Sequence, residues 1–114
     1  MQHHTITREQ LSREIAEGAL TIVEALPPMY FEDAHLPGAI NIPHDRIREL
    51  APALLPDRDA PIVTYCANTP CQNSGIAAAT LVALGYTDVR EYVEGKQDWV
   101  DAGLPVEAGA AAAV

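Results

Sequence analysis

The residue best suited to do chemistry is Cys66, which lies between a short apolar segment and a run of small residues. The segment 62–65 is rich in residues that favour strands, and the stretch 74–84 has the composition of a helix. A strand, a short loop and a helix in this order direct backbone N–H groups and the positive end of the helix dipole at the loop. We therefore expect the Cys66 thiol to ionise readily, and the thiolate is the nucleophilic form.

A second cysteine, Cys71, lies in the same loop. If the loop curls, a disulfide between the two becomes reachable, and a resolving cysteine beside a reactive one is typical of redox sensors. The alternative is that these cysteines are structural, because free cysteine is among the most buried residue types. Two soft ligands are too few for a metal ion, and His35 and His44 have no ligand spacing to them, so we expect no metal site.

The loop also supplies the groups expected to bind a substrate. A concave set of backbone amides binds anions without a charged side chain. Ser74 is expected to cap the following helix through its hydroxyl, with a hydrogen bond to the cysteine sulfur as the alternative. The expected substrate-binding residues are Ala67, Asn68, Thr69, Pro70, Cys71, Gln72, Asn73 and Ser74.

Composition limits the classes of function. The chain has 114 residues, enough for one domain with its own core, and a net charge of −9, which argues against nucleic acid as a partner. No apolar run approaches the roughly 20 residues of a membrane span. The N-terminus lacks the basic start and apolar core of a signal peptide, so we expect a cytoplasmic protein with no membrane partner. The pattern leaves the oligomeric state open.

Apolar runs alternate with helical patterns along the chain. Thr7 begins a capping-box pattern that predicts a helix over about 7–17. The other predicted elements are strands at 20–24, 39–42, 62–66 and 89–93, a helical turn within 29–35, and helices within 44–55, 74–84 and 95–102. Strands that are apolar on both faces indicate a mostly parallel sheet covered on both sides. Ligands of such sheets bind beyond the carboxyl ends of the strands, where Cys66 lies.

Several of these segments together resemble the rhodanese-like domain family. They are the segment 35–43 (HLPGAINIP), the strand, loop and helix around Cys66, the segment 84–86 (LGY), the segment 94–99 (EGKQDW) and the segment 102–106 (AGLPV). Their order matches the family over roughly residues 5–107.

The resemblance implies a three-layer α/β/α domain over residues 1–107 with a central, mostly parallel sheet, followed by an Ala-rich flexible tail, 108–114. It implies a sulfurtransferase or sulfur carrier in which Cys66 accepts a sulfane sulfur as a persulfide. The acceptor would be a thiol, cyanide or a protein, and no cofactor is needed. The resemblance also favours Lys96 as an auxiliary residue, because its segment usually lies near the active loop. Glu24, at a strand end, and His35, beside a turn, are further auxiliary candidates, each with a structural role as the alternative.

The departures from the family pattern are informative. The usual loop has a cysteine, four residues, then arginine and serine, whereas seven residues separate Cys66 from Ser74 here. Asn73 stands where the arginine would be, and the early Asp-x-Arg appears as residues 24–26 (EAL). Recognition of the thiosulfate dianion is therefore expected to be weak. A non-catalytic or redox-regulated interaction module is the main alternative. Phosphatase or arsenate reductase chemistry is disfavoured, because it needs an arginine to hold the oxyanion.

Overall fold

Short parallel strands form a single central sheet in this computed structural model, which describes residues 3–109. The strands are β1 (His4–Thr5), β2 (Thr21–Glu24), β3 (Ile40–Asn41), β4 (Ile62–Tyr65) and β5 (Val89–Tyr92). Their order in the sheet is β1-β5-β4-β2-β3, with every pairing parallel. The predicted parallel sheet is thereby confirmed, and β4, which leads to Cys66, is its central strand.

Helices cover both faces of the sheet. They are α1 (Arg8–Glu17), α2 (Pro28–Asp33), a 3₁₀ turn (His44–Arg46) that continues into α3 (Ile47–Leu54), α4 (Asn73–Ala83) and α5 (Gly95–Asp101). On β2, Ile22 joins the core under α1, α2 and α5, while Val23 joins the core under α3 and α4. Neighbouring residues of a strand face opposite sides, so each buried strand fills two cores and the predicted three-layer architecture is confirmed. In the described residues no helix has the length and apolarity needed to cross a bilayer.

Most helices and strands lie where the sequence pattern predicted them. Thr7 caps α1, with its hydroxyl oxygen accepting a hydrogen bond from the Gln10 amide at 3.1 Å, and Gly18 ends the helix at φ +68°. The outer strand β1 escaped prediction, because two residues that pair along only one edge carry no periodicity. Residues 110–114 of the predicted tail lie outside the described residues.

The start of α5 holds the segment after Cys66 in place. The amides of Lys96 and Gln97 donate to the carbonyls of Cys66 at 2.8 Å and Ala67 at 2.9 Å. This close approach is possible because the preceding residue is glycine. Gly95 has φ +74°, and a Cβ built there would lie 2.6 Å from the Cys66 carbonyl oxygen.

An ion pair ties α1 to the sheet. Both terminal nitrogens of Arg90 on β5 donate to the Glu14 carboxylate, one of them at 2.8 Å. These hydrogen bonds, with a further one from Gln10, lower the pKa of Glu14 from 4.5 to about 2. The paired carboxylate therefore stabilises the fold at neutral pH.

The contact at Gly95 predicts a strong effect of Gly95→Ala on stability. We expect the free energy of unfolding to fall by about 2–4 kcal/mol in urea titrations, because the methyl group adds a backbone clash to the strain of a positive φ. Gly103→Ala is the matched control. Gly103 has the same φ of +74° with nothing within 4 Å of the built Cβ, so it should lose only about 1 kcal/mol. Equal losses in the two variants would contradict the assigned close approach.

The Glu14–Arg90 pair predicts a defined pH dependence. Because the folded-state pKa is depressed, the stabilisation is complete above pH 4.5 and is lost as the pH falls towards 2. Glu14→Gln should cost about 1 kcal/mol at pH 7 in urea unfolding, and the difference from wild type should vanish near pH 2. Glu49→Gln is the control, since Glu49 pairs with Arg46 on the open surface and should cost almost nothing. A Glu14 difference that persisted at the acid end would argue against the pair.

Candidate functional site

Cys66 directly follows the central strand β4, and its side chain is completely buried. Its Sγ lies 3.4 Å from the Ser74 Oγ and 3.6 Å from the Cys71 carbonyl oxygen. The helix α4 begins at Asn73, immediately after the loop. The predicted sequence of strand, loop and helix is therefore present, and it encloses the thiol.

The loop makes a turn above the buried sulfur. The Cys71 amide donates to the Asn68 carbonyl at 3.1 Å, and Thr69 and Pro70 form the exposed tip of the turn. Ala67 and Cys71 are half-buried, whereas Gln72 is exposed and precedes the first residue of α4. Within residues 3–109, the amides of Thr69, Gln72 and Asn73 have no acceptor in the protein. These N–H groups are available to a bound anion.

Burial raises the pKa of the Cys66 thiol in this setting. The neighbouring Cys71 raises it further, and the hydrogen bonds that the side chain and amide of Ser74 would donate to the thiolate lower it only in part. This differs from the sequence-based expectation of a lowered pKa. Loss of water around a fully buried thiol outweighs the helix terminus, whose influence is about 0.3–2 kcal/mol.

Ser74 contacts the sulfur instead of capping its helix. It is the second residue of α4, and its hydroxyl donates to the Glu91 Oε2 at 2.7 Å. The predicted capping role is wrong, and the alternative contact with Cys66 is present. Since a hydroxyl has one hydrogen and the carboxylate accepts it, the Cys66 thiol donates to the Ser74 oxygen. Thr64 of β4 fixes this turn of helix by donating to the Ser74 carbonyl at 2.9 Å.

Glu91 and His3 are site residues that the sequence reasoning missed. Glu91 lies on β5 with 13% of its side chain exposed, and its Oε1 is 2.9 Å from the His3 Nε2. The available signal was the pair of charged residues, 90 and 91, within a strand expected to be apolar on both faces. Arg90 is accounted for by its partner on α1, whereas the carboxylate of Glu91 points to the buried cysteine through Ser74.

Glu24 and Lys96 come together at the end of β2. The Lys96 Nζ lies 3.0 Å from the Glu24 Oε1 and also donates to the Tyr30 carbonyl at 2.9 Å. The Tyr65 hydroxyl donates to the same Glu24 oxygen at 2.7 Å. Burial raises the pKa of Glu24, while Tyr65 and Lys96 oppose this effect. Lys96 therefore neutralises a buried carboxylate, and its link to the loop runs through its backbone amide.

His35 makes no hydrogen bond to these groups. Its ring stacks on Phe31 at 3.7 Å between centroids, and its Nδ1 donates to the Phe31 carbonyl at 2.8 Å. These contacts are those of the structural alternative. Residues 3–109 contain no cluster of three or more His, Cys, Asp or Glu side chains that could hold a metal ion.

The chain is similar in sequence to known proteins. Residues 7–102 match the model of the rhodanese-like domain. A curated relative, the HTH-type transcriptional regulator Rv0324 of Mycobacterium tuberculosis, is 36% identical over 92% of this chain and 45% of its own length. The thiosulfate sulfurtransferase PspE of Escherichia coli is 31% identical over 59% of this chain and 62% of its own. This chain therefore spans less than two thirds of either relative.

A solved structure extends the likeness to three dimensions. The BH2092 protein of Bacillus halodurans superposes with a TM-score of 0.85 at 27% identity, covering 97% of this chain and 81% of that one. The likeness of fold therefore extends over nearly the whole of this chain. With the family model covering most of its length, the chain belongs to the rhodanese-like domain family.

Proposed function

We propose that this chain is a sulfurtransferase or sulfur carrier in which Cys66 holds the transferred sulfur as a persulfide. The observation that carries the proposal is the position of Cys66, at the carboxyl end of the central strand and beneath a loop with free amides, in a rhodanese-like domain. PspE, which shares this family, is named a thiosulfate sulfurtransferase. The proposed partners are a sulfane-sulfur donor and a thiol, cyanide or protein acceptor, and the proposed compartment is the cytoplasm.

The reaction has two displacements. The Cys66 thiolate attacks the outer sulfur of the donor, so that a bond forms between Sγ and that sulfur. The bond from that sulfur to the rest of the donor breaks, and the leaving group takes the electron pair. An acceptor nucleophile then attacks the outer sulfur of the persulfide, and the Sγ–S bond breaks to return the Cys66 thiolate.

Donor selection follows from the charges around the loop. Lys96 is paired with Glu24, and Asn73 provides an uncharged amide at the start of α4. The chain as a whole carries a net charge of −9. A dianion meets long-range repulsion with only backbone donors to offset it. We therefore propose that a donor of lower charge, such as an organic persulfide, is preferred over thiosulfate, and that it binds to the loop 67–73 through the free amides of Thr69, Gln72 and Asn73.

A second candidate function is a thiol switch. The half-buried Cys71 shares a hydrogen bond with Cys66 through its carbonyl, and a related chain is named a transcriptional regulator. With an oxidant such as hydrogen peroxide, Cys66 would form a sulfenic acid. The Cys71 thiolate would then displace water to give the disulfide.

Persulfide loading tests the main proposal. Reduced protein incubated with an organic persulfide should gain one sulfur, about 32 Da, on the peptide containing Cys66, measured by mass spectrometry. Thiosulfate at equal concentration should load more slowly, and Cys66→Ser should gain nothing at that position. Absence of an adduct with every donor, on protein shown to be fully reduced, would overturn the proposal.

Cys71→Ser separates the two candidate functions. With sulfur transfer as the function, the variant should load Cys66 at least as fast as wild type, because the transfer needs no second thiol and Cys71 raises the pKa of the Cys66 thiol. With hydrogen peroxide, wild type should show a faster band on a non-reducing gel, and the variant should lack it. A large loss of loading in Cys71→Ser would show instead that the second thiol takes part in transfer.

A further inference from the structure

A continuous hydrogen-bonded chain connects the buried thiol to the protein surface. Cys66 Sγ lies 3.4 Å from Ser74 Oγ, which lies 2.7 Å from one oxygen of Glu91. The other Glu91 oxygen lies 2.9 Å from the Nε2 of His3, whose side chain is 22% exposed. The chain starts at a fully buried side chain and ends at one that solvent reaches.

The buried thiol needs such a path to react. Cys66 has no exposed surface, so bulk water cannot take its proton directly. Burial also raises its pKa, so little thiolate is present at neutral pH. Ionising the thiol by losing a proton to solvent would leave two negative charges, on Sγ and on Glu91, separated only by one hydroxyl group.

We propose that Glu91 acts through Ser74 as the proton acceptor for the Cys66 thiol. The proposal rests on the sulfur-transfer function and explains how the nucleophile forms. The thiol passes its proton to Ser74 Oγ while the Ser74 hydroxyl passes its own proton to Glu91 Oε2. The Ser74 hydroxyl now donates to the thiolate, and the Glu91 acid donates to Ser74. The total charge of the three groups is unchanged.

The shift completes the first displacement of sulfur transfer. As the thiolate attacks the donor sulfur, the leaving group departs with its electron pair. The proton held on Glu91 then leaves on the side of His3, where solvent has access. Glu91 is a positioning residue in this scheme, since it touches the nucleophile only through Ser74.

The surroundings of Glu91 contain few other groups that titrate. On the neighbouring strands its register partners are Thr5 and Thr64, neither of which ionises near neutrality. On α4, Gly75 packs against it, with a built Cβ 3.5 Å from Oε2, so the helix offers no charge there. The adjacent Arg90 is bonded to Glu14 beneath α1. The relay therefore depends on Glu91 itself, His3 and the thiols of Cys66 and Cys71.

Alkylation across pH tests the relay without any sulfur donor. In a Cys71→Ser background, the rate of Cys66 modification by iodoacetamide would be followed by mass spectrometry between about pH 5 and 9, spanning the ordinary thiol pKa. With the relay, the rate should level off below the thiol pKa, because moving the proton from Cys66 to Glu91 leaves the number of protons bound to the protein unchanged. Glu91→Gln accepts no proton, so its rate should fall about tenfold for each pH unit below the thiol pKa, without levelling off.

Matched variants separate the relay from a structural effect. Ser74→Ala breaks the chain at another point and should give the same steep profile, which keeps the test valid if Glu91→Gln folds poorly. Glu14→Gln is the control, because Glu14 is 14% exposed, close to the 13% of Glu91, and pairs with Arg90 away from the thiol. It should keep the parent profile. Identical profiles in parent and Glu91→Gln would overturn the relay.

Persulfide loading in the same variants distinguishes this proposal from the proposed function. Loading at Cys66 that is equally fast in parent and Glu91→Gln would leave sulfur transfer intact and overturn the relay. A levelled alkylation profile in protein that never forms a persulfide would support the relay and overturn sulfur transfer as its purpose. Slow loading together with a steep profile in Glu91→Gln would support both.

Discussion

Exclusion of water from the Cys66 thiol is the constraint on which the rest of the site depends. The residue closes the central strand, α4 covers it, and the first amides of α5 hold its carbonyl and that of Ala67. A thiol in this place has no contact with bulk water, and its pKa rises because the thiolate has lost its hydration. Burial and reactivity are thereby in conflict. The proposed relay through Ser74 and Glu91 is a way of resolving that conflict.

The strand β5 contributes two polar groups, Arg90 and Glu91. A parallel strand covered on both faces is usually apolar, yet Arg90 and Glu91 occupy successive positions of this one. Each has a partner on its own face, Glu14 for the arginine and Ser74 with His3 for the glutamate. Placing two charges on opposite faces of an inner strand costs desolvation on both sides. For the arginine, the ion pair with Glu14 offsets this cost and anchors α1. For the glutamate, the contacts with Ser74 and His3 offset it and hold the carboxylate close to Cys66.

The sequence predicted the layers, the parallel sheet and the position of Cys66, because apolar periodicity and glycine turns act locally. It predicted the contact of Ser74 with the sulfur only as the alternative to a cap, because a serine before a helix looks like a cap, and only the fold brings Glu91 within reach of the Ser74 hydroxyl. The raised pKa of Cys66 could not be predicted from the sequence either. The order of strand, loop and helix shows that a helix dipole lies near the thiol, but the pKa depends on how deeply the thiol is buried, which only the fold shows. Likewise, Lys96 looked available until the fold brought it to Glu24.

Under the proposed relay, the absence of an arginine from the loop has a physical reason. An arginine beside the sulfur would bind an anionic donor and would stabilise the thiolate directly. It would also attract the Glu91 carboxylate, which lies on the far side of Ser74. A proton relay needs that carboxylate free to accept, and a neutral residue such as Asn73 leaves it so. A site that moves a proton internally keeps its total charge constant as the nucleophile forms, and it has no need of a resident cation. Such a site has no cation to hold a dianion and has a buried carboxylate that repels one. The donor expected to bind best therefore carries little charge of its own.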